Sequence, residues 1–288
     1  MKNYLSLVKF SHTIFAMPFA CIGFFLASNQ QASTNWWLFL KVVFCMVFAR
    51  SAAMAFNRYV DRSIDQKNPR TAQREIPAGV ISPSNALYFV LVNSVLFIIT
   101  TLSINRLCFY LSPVALAVIL GYSYTKRFTA LCHFVLGVGL ALAPIGAYVA
   151  VSGVFDTTSL TAIIFSFVVL FWVSGFDIIY ALQDEEFDKS LGLNSIPASL
   201  GKNRALILSK ILHLITACLV LFAGYFNQFS WFYWLGCFLF IALLMYQHLI
   251  VKPNDLSKVN LAFFTTNGVA SALFSLLTII DILSRTNL

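Results

Sequence analysis

The stretch WLFLKVVFCMVFARSAAMAFNRYVDRSID, residues 37–65, joins a long apolar run to a group of polar and charged side chains. Its apolar part, 37–56, is long enough for a helix that crosses the ~30 Å hydrocarbon core of a bilayer. Lys41 and Arg50 are the two charges within that run. The stretch therefore predicts a membrane-spanning helix that ends in a charged cluster.

Comparable apolar runs recur along all 288 residues, of which 59% are apolar and 10% are charged. Soluble domains carry about 25% charged residues, so this composition and the mean hydropathy of +0.82 exclude a soluble globule and a disordered chain. A membrane β-barrel would show short alternating segments instead. We predict an all-α, polytopic membrane protein with about nine transmembrane helices. The predicted spans are 12–28, 37–56, 85–104, 107–124, 131–151, 159–182, 205–225, 230–250 and 260–283.

The basic residues predict the orientation of these spans. The N-terminal segment and every second loop after it hold most of them, whereas the opposite side holds only Arg106 and Arg285. This asymmetry places the N-terminus and the long loops in the cytoplasm and the C-terminus outside. The net charge of +8 therefore reflects topology and does not indicate a nucleic-acid partner. The basic residues on the predicted cytoplasmic side are Lys2, Lys9, Arg58, Arg62, Lys67, Arg70, Arg74, Lys126, Arg127, Lys189, Lys202, Arg204, Lys210, Lys252 and Lys258.

The eleven acidic residues are unevenly placed. Eight form two clusters at the cytoplasmic ends of the second and sixth spans. We expect the other three, Asp156, Asp255 and Asp281, to lie in water at loops or span ends. The clustered acids are Asp61, Asp65 and Glu75, followed by Asp177, Asp184, Glu185, Glu186 and Asp188.

Each cluster contains a motif with polar residues four positions apart, a spacing that places side chains on one face of a helix at steps of about 6 Å. Oxygen ligands from two helix ends suit Mg²⁺, which binds one or two carboxylates together with substrate phosphates. Ile-Pro-Ala follows each motif, at 76–78 and 196–198, which indicates a weak internal repeat. The alternative is that the acids solvate helix ends and pair with nearby cations. The motifs are Asn57-Asp61-Asp65 and Tyr180-Asp184-Asp188.

Basic side chains are interleaved with these acids. Together they fit a diphosphate, with metal between carboxylate and phosphate and with Arg or Lys on the remaining oxygens. The positive-inside rule explains many of the basic residues, but it does not explain why acids lie among them. The candidates for diphosphate contact are Arg58, Arg70, Arg74, Lys126 and Lys189, with Arg127 beside them.

Two further charges lie deeper in the predicted membrane. Arg50 precedes Asn57 by seven residues and Asp177 precedes Asp184 by seven, about 10 Å along a helix. Charges at that depth are costly unless they are paired or face a polar cavity. We expect both to line a pocket between the second and sixth spans, where they are able to contact each other. The alternative is a structural pair that only fixes helix packing.

These motifs resemble a known family. ARSAAMAFNRYVDRSIDQKNPRTAQREIPAG (Ala49 to Gly79) and SGFDIIYALQDEEFDKSLGLNSIPASLG (Ser174 to Gly201) resemble the two signatures of the UbiA superfamily of intramembrane prenyltransferases. KFSHTIFAMPFA (Lys9 to Ala20), YSYTKRFTALCHFVLG (Tyr122 to Gly137) and APIGAYVAV (Ala143 to Val151) are similar to it as well. The resemblance is closest to the bacterial 4-hydroxybenzoate polyprenyltransferase branch, which includes a group associated with dihydroxynaphthoate prenylation.

The resemblance implies one integral-membrane prenyltransferase domain over 1–288, with weak repeats carrying 57–65 and 180–188. It implies nine helices around a central cavity, a prenyl tail in a lipid-side cleft, and a Mg²⁺-dependent site at the cytoplasmic face of a bacterial inner membrane. Metal ligands and catalytic carboxylates carry over to Asn57, Asp61, Asp65, Asp184 and Asp188. Diphosphate contacts are assigned to Asn57, Arg58, Arg70, Arg74, Lys126 and Lys189, and acceptor contacts to Arg127, Arg50, Asp177 and Tyr180.

The implied reaction is transfer of a polyprenyl group from a polyprenyl diphosphate to an aromatic acid, 4-hydroxybenzoate above all, in respiratory quinone biosynthesis. Prenylation of a dihydroxynaphthoate for menaquinone is the alternative acceptor. A small-solute transporter is the alternative class, because inverted repeats and intramembrane charges also mark transporters. A transporter concentrates its charges near the bilayer midplane, whereas most charges here lie at one interface.

Overall fold

The computed structural model describes residues 2–8, 15–31 and 34–285, and their regular elements are helical. Eight helices in these ranges are long and apolar enough to cross a membrane, which confirms the predicted all-α, polytopic class. The predicted first span corresponds to a 12-residue helix, and its residues 12–14, like Lys9 before them, lie outside the described residues. The helices are α1 (Lys2–Leu7), α2 (Met17–Ser28), α3 (Trp36–Val60), α4 (Arg62–Lys67), α5 (Pro83–Leu102), α6 (Arg106–Thr125), α7 (Cys132–Ser152), α8 (Ser159–Ala181), α9 (Glu185–Ser190), α10 (Ile196–Phe226), α11 (Trp231–Ile250) and α12 (Asn267–Ser284).

The acidic motifs lie where two long helices end. The helices α3 and α8 stop at Val60 and Ala181, and the chain then turns into the short helices α4 and α9, the second after a 3₁₀ turn. Asp61 (φ −89°, ψ 6°) and Asp184 (φ −104°, ψ 5°) share almost the same backbone conformation at these breaks. Each column of polar residues therefore crosses a helix break, where the sequence predicted one continuous helical face. The shared break supports the predicted internal repeat.

The break between the third and fourth predicted spans is built by Asn105. Its side-chain oxygen caps α6 by accepting from the Cys108 N–H at 2.8 Å, and its amide donates to Val149 O at 2.9 Å. One polar side chain thus satisfies an orphan donor of α6 and attaches the turn to α7.

Asp281 is buried, so the expectation that it lies in water is wrong. Its carboxylate is fully buried and accepts from the backbone N–H groups of Ser230 (3.0 Å) and Tyr233 (3.3 Å), with Arg285 at 3.2 Å. The first N–H groups of α11 have no partner within the helix, and a buried carboxylate satisfies them. Asp281 therefore joins α12 to the start of α11.

A close backbone contact holds α2 against α7. A Cβ atom built on Gly23 would lie 2.0 Å from the Pro144 carbonyl oxygen, which is backbone and has no rotamer to adopt. The same helix α2 also packs on α8, where the ring centroids of Phe19 and Trp172 are 5.4 Å apart.

We expect Gly23→Ala to destabilise the protein by about 1–3 kcal/mol, because the added methyl group overpacks this contact. Thermal unfolding in detergent, followed by circular dichroism, should show a clearly lower midpoint. Gly121→Ala is the matched control, since a Cβ there meets nothing within 4 Å. Equal thermal unfolding midpoints for Gly23→Ala and Gly121→Ala would contradict the claim that α2 and α7 are in close contact at Gly23.

Candidate active site

The ends of α3, α6 and α8 meet at one face of the helical bundle and enclose a polar cavity of about 210 Å³. The loop that follows α4 covers its side. Charged side chains of both signs line it, as the sequence predicted for the two motifs. They are Asp61, Asp65, Asp177, Asp184, Arg70, Arg74 and Lys126.

Asp61, the central residue of the first motif, is paired with Arg127. The distance from the Arg127 guanidinium to Oδ1 is 3.0 Å, and the Asn57 amide donates to Oδ2 at 3.1 Å. Burial raises the pKa of Asp61, and the charge of Arg127 opposes that rise. Arg127 also donates to Val60 O at 3.0 Å, so its guanidinium ties the end of α6 to the end of α3.

Asp65 is held by the loop that follows its own helix. Arg74 contacts Oδ1 at 2.6 Å, while Arg58 is buried with its guanidinium 4.0 Å from Oδ2. Oδ2 is buried and has no hydrogen-bond partner among the described residues. Arg58 therefore lies behind Asp65, whereas the sequence placed it on the diphosphate.

Asp184, the central residue of the second motif, is paired with the loop that follows the first motif. The Arg70 guanidinium forks onto its two carboxylate oxygens, with Nε 3.0 Å from Oδ1, and the Asn68 amide donates to Oδ1 at 3.1 Å. Arg70 also donates to the Tyr180 hydroxyl at 2.8 Å. Burial lowers the pKa of Arg70, but the hydrogen bonds and charge interactions with Asp184 and Tyr180 together outweigh burial and leave the pKa above its usual value. The loop of the first motif is thereby fixed on the second motif.

Asp188 is fully buried at the end of the second motif. The Lys126 ammonium lies 2.7 Å from Oδ1, and the Ser195 hydroxyl donates to Oδ2 at 2.9 Å. The neighbouring residues Lys126 and Arg127 thus join the two motifs, one to Asp188 and the other to Asp61.

The carboxylates pair with cations in this structure, and no group of three or more acid, His or Cys side chains among the described residues is arranged around a metal position. The donor chemistry nevertheless fits a hard divalent cation. The buried, unpartnered Oδ2 of Asp65 and the raised pKa of Asp61 both mark carboxylates that a bound cation would stabilise. Asp61, Asp65 and Asp184 line the cavity, whereas Asp188 is reached only if Lys126 moves.

Lys189 is not brought to the cavity, contrary to the diphosphate contact assigned to it. Its ammonium lies 2.6 Å from Glu185 Oε1, one helical turn earlier, and half of the side chain is exposed. The helix α9 turns this side chain outward after the break at Asp184.

We expect Lys189→Met to change turnover and the KM for a prenyl diphosphate by less than about threefold, because exposed ion pairs contribute little. Lys126→Met, which removes a cation from the cavity itself, is the matched comparison and should raise that KM strongly. Steady-state kinetics of both variants test the assignment. An equal rise in the KM for the prenyl diphosphate in both variants would show that Lys189 contacts this substrate.

Arg50 and Asp177 do not meet, so the expected contact is wrong. Asp177 faces α7, where the imidazole of His133 lies 2.6 Å from its Oδ2. Among the described residues no carboxylate lies within 4.0 Å of Arg50, and its buried Nε has no hydrogen-bond partner. The helix α7 packs along α8 and supplies the partner that the sequence assigned to the second span.

Arg50 lines a second, apolar cavity of about 410 Å³ between α3, α6 and α7. Cys45 and Leu111 belong to its wall, and Tyr122 and Leu136 line both cavities. A charged cavity at one end of the helical bundle therefore adjoins an apolar cavity among the long helices. This shape suits an amphiphile with a charged head and a long apolar tail.

Sequence reasoning missed three residues here: Asn68 on Asp184, Tyr122 between the cavities, and His133 on Asp177. His133 had a signal, since an ionisable side chain opens the apolar run of α7, and such residues are functional candidates by default. Asn68 had none, because a single loop amide is not distinguishable before its partner is known.

A charged cavity that shares two lining residues with an apolar cavity inside a helical bundle suits a membrane protein that binds amphiphilic substrates. The chain belongs to the UbiA prenyltransferase family, whose model matches residues 16–269. It is 30% identical over 238 residues to a 4-hydroxybenzoate octaprenyltransferase of Tolumonas auensis, covering 83% of this chain and 81% of the relative. It is 31% identical over 238 residues to that of Serratia proteamaculans, covering 82% and 79%.

Solved structures agree with this assignment. The apo structure of a UbiA homologue from Aeropyrum pernix K1 matches with a TM-score of 0.81 and 28% identity, over 95% of this chain and 98% of that one. A UbiA homologue from Archaeoglobus fulgidus bound to GPP and Mg²⁺ shares the fold, with a TM-score of 0.72 and 23% identity over 97% and 99%. The chain is thus a multi-pass membrane prenyltransferase.

Proposed function

We propose that this protein transfers a polyprenyl group from a polyprenyl diphosphate to 4-hydroxybenzoate in respiratory quinone biosynthesis. The observation that carries the proposal is the pair of cavities that share Tyr122 and Leu136, one charged and one apolar. The names of the curated relatives support the acceptor, and the GPP- and Mg²⁺-bound neighbour supports the donor and the metal.

The charged cavity is suited to hold the diphosphate. Mg²⁺, when bound, supplies positive charge that stabilises the departing diphosphate. Asp61, Asp65 and Asp184 are the residues that would hold it. Arg70 and Arg74, which neutralise these carboxylates in the structure, become available to phosphate oxygens once a metal takes their place.

The apolar cavity is suited to hold the prenyl tail and the acceptor ring. Arg50 is its cationic group, and an aromatic carboxylate would supply the partner that this guanidinium lacks. Arg127, to which the sequence assigned an acceptor contact, is already committed to Asp61. The apolar walls of this cavity would exclude water, so that the ring carbon and not water attacks the allylic carbon.

We place the site at the cytoplasmic face of a bacterial inner membrane. The connections that border the polar cavity, residues 61–82, 126–131 and 182–195, belong to the side that holds most Lys and Arg residues. A thiol-labelling map of single-cysteine variants in these connections and in 153–158 tests the orientation.

One competition assay tests the acceptor. Purified protein receives Mg²⁺, octaprenyl diphosphate, and equimolar 4-hydroxybenzoate and dihydroxynaphthoates, and the products are identified by mass. We expect octaprenyl 4-hydroxybenzoate to dominate. If the only prenylated product comes from a dihydroxynaphthoate, then 4-hydroxybenzoate is not the acceptor and the menaquinone alternative is favoured.

A further inference from the structure

Asp177 differs from the other carboxylates of the polar cavity. Asp61, Asp65 and Asp184 each have an arginine at 3.0 Å or less. Within the described residues, Asp177 has no Lys or Arg within 4.0 Å, and the imidazole of His133 is its hydrogen-bond partner. Its side chain remains 22% exposed and lines the cavity. It is therefore a carboxylate that no permanent cation neutralises.

The environment of His133 fixes where its proton lies. The backbone N–H of Ile196 approaches the imidazole Nε2 at 3.3 Å and is a donor, so Nε2 accepts. The proton of a neutral imidazole then lies on Nδ1, which donates to Asp177 Oδ2 at 2.6 Å. His133 is 3% exposed as a residue, so this arrangement is held by packing. One carboxylate oxygen is occupied, while Oδ1 has no partner among the described residues.

Asp177 also lies at the right depth for the chemistry. It lies on α8, seven residues before Asp184 at the break that follows this helix, and so about 10 Å further into the predicted membrane. Leu136, one turn after His133 on α7, lines both the polar and the apolar cavity. Asp177 therefore lies in the wall of the polar cavity, and its partner His133 is one turn of α7 from a residue that lines both cavities.

We propose that Asp177 accepts the proton that the aromatic ring loses, and that His133 is the positioning residue that holds Asp177 for this step. The inference rests on the proposed function. The allylic C–O bond breaks and its electron pair leaves with the diphosphate, and a π pair of the ring forms the new C–C bond. The C–H proton at the attacked carbon then passes to Oδ1 of Asp177, and its bonding pair restores the aromatic ring. The proton is released to water before the next turnover.

Asp177→Asn tests the step, because an amide keeps the size of the side chain but cannot accept the proton. We expect kcat to fall about 100-fold with the KM of the prenyl diphosphate unchanged, the usual size of a general-base contribution. An acceptor deuterated at the attacked ring positions should then react more slowly than the protiated one, because proton loss has become rate-limiting. Formate should restore part of the turnover of Asp177→Ala.

The His133 variants separate positioning from packing. His133→Gln retains an N–H donor for Asp177 and should keep more turnover than His133→Ala, at comparable thermal stability. A kcat of Asp177→Asn within about threefold of the wild-type value would overturn the inference, and the departing diphosphate would then be the candidate proton acceptor. A loss without isotope effect and without formate rescue would overturn it in favour of a structural role. If the wild-type protein prenylates no acceptor, the proposed function itself is wrong. If the wild-type protein and Asp177→Asn are equally active, only the inference about Asp177 is wrong.

Discussion

Asp61→Asn and Asp184→Asn are each expected to lower kcat/KM about 1000-fold or more, which corresponds to about 4 kcal/mol of transition-state stabilisation. The two residues occupy helix breaks of similar backbone conformation, after α3 and after α8, and line the same cavity. Each substitution removes a carboxylate from the set that would hold the cation against the diphosphate. We expect Mg²⁺ titrations of the residual activity to shift to higher concentrations.

The fold should survive both substitutions. An asparagine keeps an oxygen for Arg127 at position 61 and for Arg70 at position 184, so the contacts between helix ends persist. Asp255→Asn is the matched control, since this exposed carboxylate follows α11 and is held by Ser257 at 2.6 Å, away from the cavity. We expect the control to retain turnover within about twofold. Near-normal turnover of both site variants would rule out the metal assignment.

Arg50→Gln is expected to raise the KM of the aromatic acid about 100-fold and to leave the KM of the prenyl diphosphate unchanged. Removing one partner of a buried, hydrogen-bonded charge pair costs about 2–5 kcal/mol, and 100-fold corresponds to about 2.7 kcal/mol. The effect depends on the acceptor having a carboxylate. A phenol that lacks this group should react equally slowly with wild type and variant.

A lysine of the same helix provides the control for Arg50. Lys41 donates to Ser103 O at 2.7 Å near the opposite end of α3, so Lys41→Gln should leave both KM values unchanged. Arg127→Gln separates the two candidate carboxylate partners. A normal acceptor KM in Arg50→Gln together with a raised one in Arg127→Gln would transfer the role to Arg127.

Much of the fold follows from the sequence, because lipid leaves few solutions for an apolar chain. Within the described residues each predicted apolar run overlaps a helix, and the break near Asn105 falls where polar residues interrupt the pattern. The convergence of Asp61 and Asp184 was also predictable, because both motifs follow apolar spans on the same predicted side of the membrane and both offer oxygen ligands. The helix breaks at these residues were not, since Asp at a helix end is compatible with either a continuing or a broken helix.

The pairing of charges is where the sequence was least informative. Lys126 and Arg127 are adjacent and chemically alike, yet they pair with different motifs. Arg50 and Asp177 were matched by depth and opposite sign, but side-chain direction on the packed helices sends Asp177 to His133 on α7. From the sequence, Asp281 was expected to be a solvated acid near a helix end, but it is buried and accepts hydrogen bonds from backbone N–H groups at the start of α11. Partner choice of this kind depends on three-dimensional packing and has no periodic signature.

The central claim is that the charged cavity and the adjacent apolar cavity form one site for prenyl transfer. The most direct measurement is the mass of the product that purified protein in lipid nanodiscs forms from octaprenyl diphosphate and 4-hydroxybenzoate, with and without Mg²⁺. We predict a Mg²⁺-dependent product whose mass equals that of the acceptor plus one octaprenyl group minus one hydrogen, formed together with diphosphate. Solute movement across proteoliposomes by a protein that forms no prenylated aromatic product under these conditions would contradict the claim.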